Sequence, residues 1–483
     1  MTLKTKEGYF DSLRKLNQKL FIFGEPVKGA VDHPMVRPST NALATTYDLA
    51  QTSEHQELLT ATSHLTGERI NRFTHIHQNR DDLIKKLKML RLMGNKTATC
   101  FQRCAGLDSL NTMSAVTFEI DRELGTQYHQ RFNDFLKYVQ REDLVCSAAM
   151  TDPKGDRRLT PSQQKNPDSY LRVVEEKPNG IVIRGAKMHI TGALNSHEIM
   201  VLPTRAMRPE DKAYAVACAV PANSKGVSYI YGRQSSDTRK LEGGEIDVGN
   251  PGFGGQEALI VFEDVFVPRE RVFMKGEHQF CNRVIEIFGA YHRSSYGGCK
   301  SGVGDVLIGA AALIADYQGT ASATHVKDKL VEMTHLNETL YACGLAASAE
   351  GYNLPSGGYI VDRLLANVCK LHVGRFPFEI VRLAQDIAGG IVGTLPSEKD
   401  YMHPELHRLL QGYLQGVPEV TTESRMRVLR LLENMTMGTG AVGYLTESLH
   451  GAGSPQAQRI MIERESNLEH KKELARDIAR IPK

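Results

Sequence analysis

The chain has 483 residues, 41% of them hydrophobic and 24% charged, with a net charge of +3. Such a composition fits a globular protein of two to four domains or one large multi-part fold, and its near-neutral balance gives no footprint for nucleic acid or a membrane surface. The opening MTLKTKEGYFDSLRKLN lacks the apolar stretch of a secretory signal, and the longest apolar run, 306–315, is far shorter than a bilayer span. The expected location is therefore the cytoplasm, where thiols stay reduced. The eight cysteines then point to ligation or packing, not to a disulfide framework.

Residues 1–149 read mostly as helix. DDLIKKLKMLRLMGNK (81–96) sets Leu83, Leu87, Leu90 and Leu92 among lysines; Gly94 reads as its stop and the lysines as a solvated face. TATCFQRCAG (97–106) follows. Cys100 and Cys104 are four apart, which on a helix puts both thiols on one face.

The character changes near residue 150. YLRVVEEKPNGIVIRGAKMHITG (170–192) places two β-branched runs around Pro178-Asn179-Gly180, a hairpin signal. HEIMVLPTRA, AYAVACAVP and ALIVFEDVFVP are each short and strand-like, so 150–275 reads as an antiparallel β domain. MTDPKGDR, which holds Met150, Thr151, Asp152, Pro153, Lys154, Gly155 and Asp156, is a turn able to offer backbone N–H groups to an anionic group. MHITG contributes His189 and Thr191. No GxGxxG follows a strand, which argues against a Rossmann site.

Helix returns over 276–483. The first long helix carries YHRSSYGGCKSG, in which His292 and Cys299 are seven apart, close to two turns, with Tyr296 on the same stripe. Two helices that each present two soft ligands can close a four-ligand site, and a Cys3His set suits zinc or an iron–sulfur cluster. The other cysteines, Cys146, Cys218, Cys281, Cys343 and Cys369, lie singly and read as small core residues. Further helices are expected over 326–352, 425–438 and 454–465, the last with Ser454 and Pro455 as N-cap and first residue. DIAGG (386–390) opens backbone at Asp386, Gly389 and Gly390 for a phosphate.

The order helix, strand, helix comes with a series of longer matches. VDHPMVRPS (31–39), TATCFQRCAG, AMTDPKGDR, YGRQSSDTRK (231–240), FGGQEALIVF (253–262), YHRSSYGGCKSGVGDV (291–306), VKDKLVEMTHLNETLY (326–341), RFPFEIVRLAQDIAGG (375–390) and TESLHGAGSPQAQRIMI (446–462) resemble the 4-hydroxybutyryl-CoA dehydratase family across nearly the whole chain. The segment 397–420 departs from that pattern. The resemblance implies an α+β, acyl-CoA dehydrogenase-like fold with a helical domain (1–149), a flavin-contacting β domain (150–275) and a C-terminal helical domain (276–483). It also implies a homotetramer, a [4Fe–4S] cluster on Cys100, Cys104, His292 and Cys299, and FAD held by residues 150–156, His189 and Thr191, with Asp386, Gly389 and Gly390 at the phosphate of FAD bound to a neighbouring subunit. The substrates implied are the acyl-CoA thioesters 4-hydroxybutyryl-CoA and vinylacetyl-CoA. In the family's route a C2 proton leaves first, one electron passes to the flavin, a C3 proton leaves, hydroxide departs from C4, and the electron returns. His292 is read as leaving or loosening from iron to serve as the base at C2. Glu257 and Glu447 are implied as acids at the departing hydroxide, Tyr296 as a donor and Lys300 as a stabiliser of negative charge. Gln102 is implied to bond substrate or to pack. The alternatives are a two-component flavin hydroxylase, a pure isomerase and a structural zinc protein.

Overall fold

The computed structural model describes residues 3–482. Its N-terminal part is mainly helical, with α1 (Lys6–Arg14), α2 (Arg37–Gln51), α3 (Arg80–Thr97), α4 (Cys104–Leu124) and α5 (Tyr128–Arg141). Between α1 and α2 run β1 (Lys19–Ile22) and β2 (Glu25–Val27). Then come β3 (Cys146–Ala149), β4 (Arg172–Lys177), β5 (Gly180–Thr191), β6 (Glu198–Val201), β7 (Val216–Pro221), β8 (Val227–Tyr231), β9 (Glu257–Pro268) and β10 (Val272–Lys275).

These strands form a six-stranded sheet ordered β2-β1-β8-β9-β5-β4 and a four-stranded sheet ordered β10-β7-β6-β3. The hairpin lies where the Asn-Gly signal put it, with Lys177 opposite Gly180 across Pro178 and Asn179. Two expectations need correction. The β block is not purely antiparallel, because β1 pairs with β8 and β3 with β6 in parallel. Nor does it begin at 150: β1, β2 and β3 arise from the helical stretch before it. A parallel partner must arrive from a distant part of the chain, so no local alternation announces it. The long β5–β9 pairing sets Glu257 opposite Thr191 at one end of the sheet.

The C-terminal part holds α6 (Cys281–Tyr317), α7 (Thr324–Ala349), α8 (Arg363–Val373), α9 (Phe376–Ala388) and α10 (Thr422–Thr436). A π-helical turn, Val442–Thr446, leads into α11 (Glu447–His450), followed by α12 (Pro455–Glu465) and α13 (Leu468–Ile478). Helix α6 is the axis of the molecule, packed by α3, α4, α7, α8, α9 and α10. It is long and apolar enough by composition to cross a membrane, but 67% of that window is buried inside the fold.

Gly94 is not the stop of α3. The helix continues to Thr97 and ends at Ala98, whose φ is 53°. A Cβ on Gly94 would stand 2.8 Å from the Cα of Gly302 and 2.8 Å from the carbonyl oxygen of Cys299. Glycine at this position lets α3 meet α6 backbone to backbone, which carries the Cys100 loop up to Cys299.

Candidate active site

Segments 97–108, 188–192, 254–257, 292–300 and 443–451 converge around α6. Cys104 opens α4, whereas Cys100 lies in the loop between α3 and α4. The two thiols therefore do not share a helical face, contrary to the spacing argument. The chain turns between them because Gln102 takes a left-handed φ of 64°. Gln102 is held at both ends of its amide: its Nε2 donates to the Gln256 carbonyl at 2.6 Å, and its Oε1 accepts from Asn195 at 3.0 Å. It anchors the cysteine loop to the β side of the site.

His292 and Cys299 lie on α6, as expected. Burial raises all three thiols above their ordinary range, Cys299 to about 11. The acidic neighbour Glu447 and the thiols' mutual proximity add to the rise at Cys100 and Cys104, while Lys300 opposes it. The three thiols thus share one buried electrostatic environment. Among the described residues, no three His, Cys, Asp or Glu side chains are grouped tightly enough to hold a single metal ion.

Glu257 and Glu447 face each other. Burial, the Glu447 carboxylate and the hydrogen bond between the two carboxyls push Glu257 well above the usual carboxylate range. Burial thus favours a proton on Glu257, and Thr191 Oγ1 donates to its Oε1 at 2.7 Å. Lys300 Nζ donates to Glu447 Oε2 at 3.0 Å and to the Gly443 carbonyl. That carbonyl belongs to the π turn, whose wide spacing frees backbone groups from the helical ladder. Burial works against the Lys300 cation, but Glu447 and the thiols outweigh it and raise its pKa.

Tyr296 is buried between two ammonium groups, Lys300 5.1 Å and Lys370 5.0 Å from its ring centre. The His292 ring meets it edge to face at 5.1 Å. Lys370 donates to the Ser448 carbonyl at 2.6 Å, and burial, then the Lys300 and Arg293 cations, bring it down to about 7.

The segments expected to contact a flavin sit beside this centre. Lys187 Nζ pairs with buried Asp152 at 2.8 Å and donates to the Met150 carbonyl at 2.9 Å; Met188 N donates to the Thr151 carbonyl at 2.8 Å. Pro153 follows in the same turn, and Lys154, Gly155 and His189 all have positive φ. Burial, Lys154 and His450 lower the pKa of His189, so the turn, β5 and α11 face one another. Asp156 points outward to Arg158 at 2.6 Å. Asp386 is not brought to this centre: it pairs with Lys329 of α7 at 2.7 Å, and Gly389 and Gly390 form an exposed turn after α9.

Three residues of the site, Asp108, Lys86 and Lys370, went unread in the sequence. Asp108, fully buried, accepts from Lys86 Nζ at 2.6 Å and meets His292 Nδ1 at 2.7 Å. Burial works against its charge, but Lys86 and His292 hold its carboxyl below the ordinary range. Lys86 is correspondingly no part of a solvated face. The signals were present: Asp108 lies one turn after Cys104, and Lys86 shares the apolar stripe of Leu83, Leu87 and Leu90.

Residues 5–274 match the family model described as 4-hydroxyphenylacetate 3-hydroxylase N terminal, and residues 281–480 match the one for its C terminal. The 4-hydroxybutyryl-CoA dehydratase/vinylacetyl-CoA-Delta-isomerase of Clostridium aminobutyricum is 57% identical over 99% of this chain and 100% of its own. An oxygen-tolerant archaeal 4-hydroxybutyryl-CoA dehydratase from N. maritimus superposes with a TM-score of 0.98 at 55% identity, covering 100% of this chain and 96% of that one. The oxygenase component of 4-hydroxyphenylacetate 3-monooxygenase, solved with FAD, gives a TM-score of 0.87 at 25% identity, covering 98% of each chain. On this evidence the chain belongs to the 4-hydroxyphenylacetate 3-hydroxylase family and, within it, to the 4-hydroxybutyryl-CoA dehydratases.

Proposed function

We propose that this protein removes water from 4-hydroxybutyryl-CoA to give crotonyl-CoA and shifts the double bond of vinylacetyl-CoA, with FAD and a [4Fe–4S] cluster as cofactors. The observation that carries the reading is the carboxyl pair Glu257–Glu447, clamped by Lys300 and set among three thiols. The full-length likeness to a dehydratase/isomerase supports it.

The residues present fit both groups. Cys100, Cys104, Cys299 and His292 offer three thiols and an imidazole from three segments, with Lys300 to offset thiolate charge. In a multi-iron cluster the ligands bind different irons, so they need not converge on one point as zinc demands. The turn at 150–156 and the strand end at His189 and Thr191 offer polar backbone beside the carboxyl pair, as a flavin ring would require. Bound FAD would supply one-electron chemistry and the cluster a Lewis-acidic iron.

The chain's own residues do the rest. A thioester acidifies C2 of its acyl chain, and His292, when free of iron, is the base that would take that proton. Glu257, kept protonated by its neighbour, holds a proton for the hydroxyl leaving C4. Lys300 keeps charge balanced at Glu447, and Tyr296 closes the site between Lys300 and Lys370. Gln102 fixes the cysteine loop. The wider reading is a cytoplasmic homotetramer with the acyl-CoA dehydrogenase-like arrangement of helix, sheet and helix. Exposed Leu468, Leu474 and Ile478 on α13 offer apolar surface for a neighbouring subunit.

The test is conversion of 4-hydroxybutyryl-CoA to crotonyl-CoA by protein purified without oxygen. Loss of that activity in His292→Cys with the cluster retained supports the base assignment; full activity in that variant removes it. The family models favour one competitor, aromatic hydroxylation. It predicts oxygen-dependent turnover of 4-hydroxyphenylacetate with reduced flavin, which the proposed reading does not.

A further inference from the structure

The structure assigns Asp108 and Lys86 a positioning role: together they hold the His292 ring so that Nδ1 is committed to Asp108 and Nε2 is left free for iron or a proton. The inference rests on the reading of His292 as ligand and base. Among the described residues, Asp108 is the group that meets Nδ1. Asp108 Oδ2 stands 2.7 Å from that nitrogen and also accepts from Ser295 Oγ at 3.0 Å. The other oxygen, Oδ1, accepts from Lys86 Nζ at 2.6 Å. Lys86 is fixed in turn by the Tyr291 carbonyl at 3.3 Å. The carboxylate is therefore held by two donors, Ser295 and Lys86, besides the imidazole.

This geometry determines which nitrogen carries the hydrogen. An ionised carboxylate only accepts, so Nδ1 is the donor and the lone pair of a neutral ring lies on Nε2. Carboxylate partners of this kind fix the orientation of ligating histidines, and their loss typically weakens metal binding or activity about 10–100-fold. The positions also explain the chain's spacing. Asp108 is one helical turn beyond Cys104 on α4, so one helix supplies both a thiol and the group that aims the imidazole of α6. Lys86 comes from α3, the helix that Gly94 lets close on α6.

Asp108→Asn keeps the size of the side chain but offers an amide that can present either atom to Nδ1. Lys86→Met/Asp108→Leu removes the carboxylate without leaving a buried lysine unpaired, and carries the test if the single variant does not fold. Two readouts are needed. Crystal structures of the iron-free variants are expected to show the His292 ring rotated or in two orientations, where the unaltered protein shows one. This arm tests the positioning claim whether or not iron binds. In iron-loaded protein, loss of iron to a chelator is expected to be about 10–100-fold faster, with altered nitrogen hyperfine coupling from labelled histidine. A single unchanged ring orientation in the double variant, with iron loss within about twofold of the unaltered protein, would overturn the assignment. Altered ring orientation in a protein that never binds iron would uphold Asp108 as the holder of His292 while removing the cluster reading.

Discussion

Charge at close quarters decides what each side chain of the site can do. Glu257 is raised by burial and by Glu447, so it is a proton store where an ordinary glutamate would be a spent base. Glu257→Gln keeps the hydrogen bond from Thr191 but has no proton to give. Dehydration is expected to fall about 10²–10⁴-fold, the usual worth of a positioned acid, with substrate affinity little changed. The same substitution bears on stability. A carboxyl raised in the folded state stabilises below its unfolded value, and that contribution is lost as pH rises toward the raised one. Glu257→Gln should therefore flatten the decline in melting temperature as pH rises above about 4.3, the ordinary glutamate value. Lys370 runs the other way. Lowered to about 7, it is protonated more readily in the unfolded chain, so stability should grow as pH climbs from about 7 toward the ordinary lysine value. Lys370→Met should remove that slope, and an unchanged slope would show that Lys370 titrates normally. The sequence displayed Glu257, Glu447, Lys300 and the four ligand candidates through the resemblance. Lys370 had only a lone cation in an apolar helix to mark it, because the groups that make it unusual come from α6 and α11.

Elements bring these residues together, and here the sequence was legible where contacts are local. The hairpin at Asn179-Gly180, the long α6, and the helices α7, α10 and α12 follow from periodicity and turn chemistry. Ser454 stands at the N-cap of α12, although its side chain makes no capping bond. What pattern could not reveal was set by distant partners. The Cys100–Cys104 spacing suggested a helical face, but the positive φ of Gln102 and its bonds to Gln256 and Asn195 hold Cys100 in a loop. β8 lacked the signal of its neighbours, and β1 joins it from more than 200 residues away. Gly94 resembled a stop because close helix approach and helix termination both select glycine. Gly94→Ala distinguishes the two roles. With backbone of α6 at 2.8 Å, the added methyl should cost about 1–3 kcal/mol of stability as overpacking and displace Cys299 from the Cys100 loop. A helix stop would lose little and leave the thiols in place. Calorimetric melting together with iron retention reads both.

For the whole molecule, the fold sets a long buried helix between a sheet end and a helical bundle. Each contributes one part of the chemistry: the sheet presents Thr191 and Glu257, the N-terminal helices Cys100, Cys104 and Asp108, and the bundle His292, Tyr296, Lys300 and Glu447. This division is why no single stretch of sequence contains the site, and why the family likeness extends through both halves of the chain. The central claim is that one protein carries flavin and an iron–sulfur cluster together and uses them on a C4 hydroxyl. The measurement that tests it most directly is iron, sulfide and flavin content on protein purified without oxygen, followed by addition of 4-hydroxybutyryl-CoA to the same sample. The account predicts about four irons, four sulfides and one FAD per chain, as one cubane cluster requires, and the appearance of crotonyl-CoA. Flavin without iron, or a fully loaded protein that leaves 4-hydroxybutyryl-CoA unchanged, would contradict it.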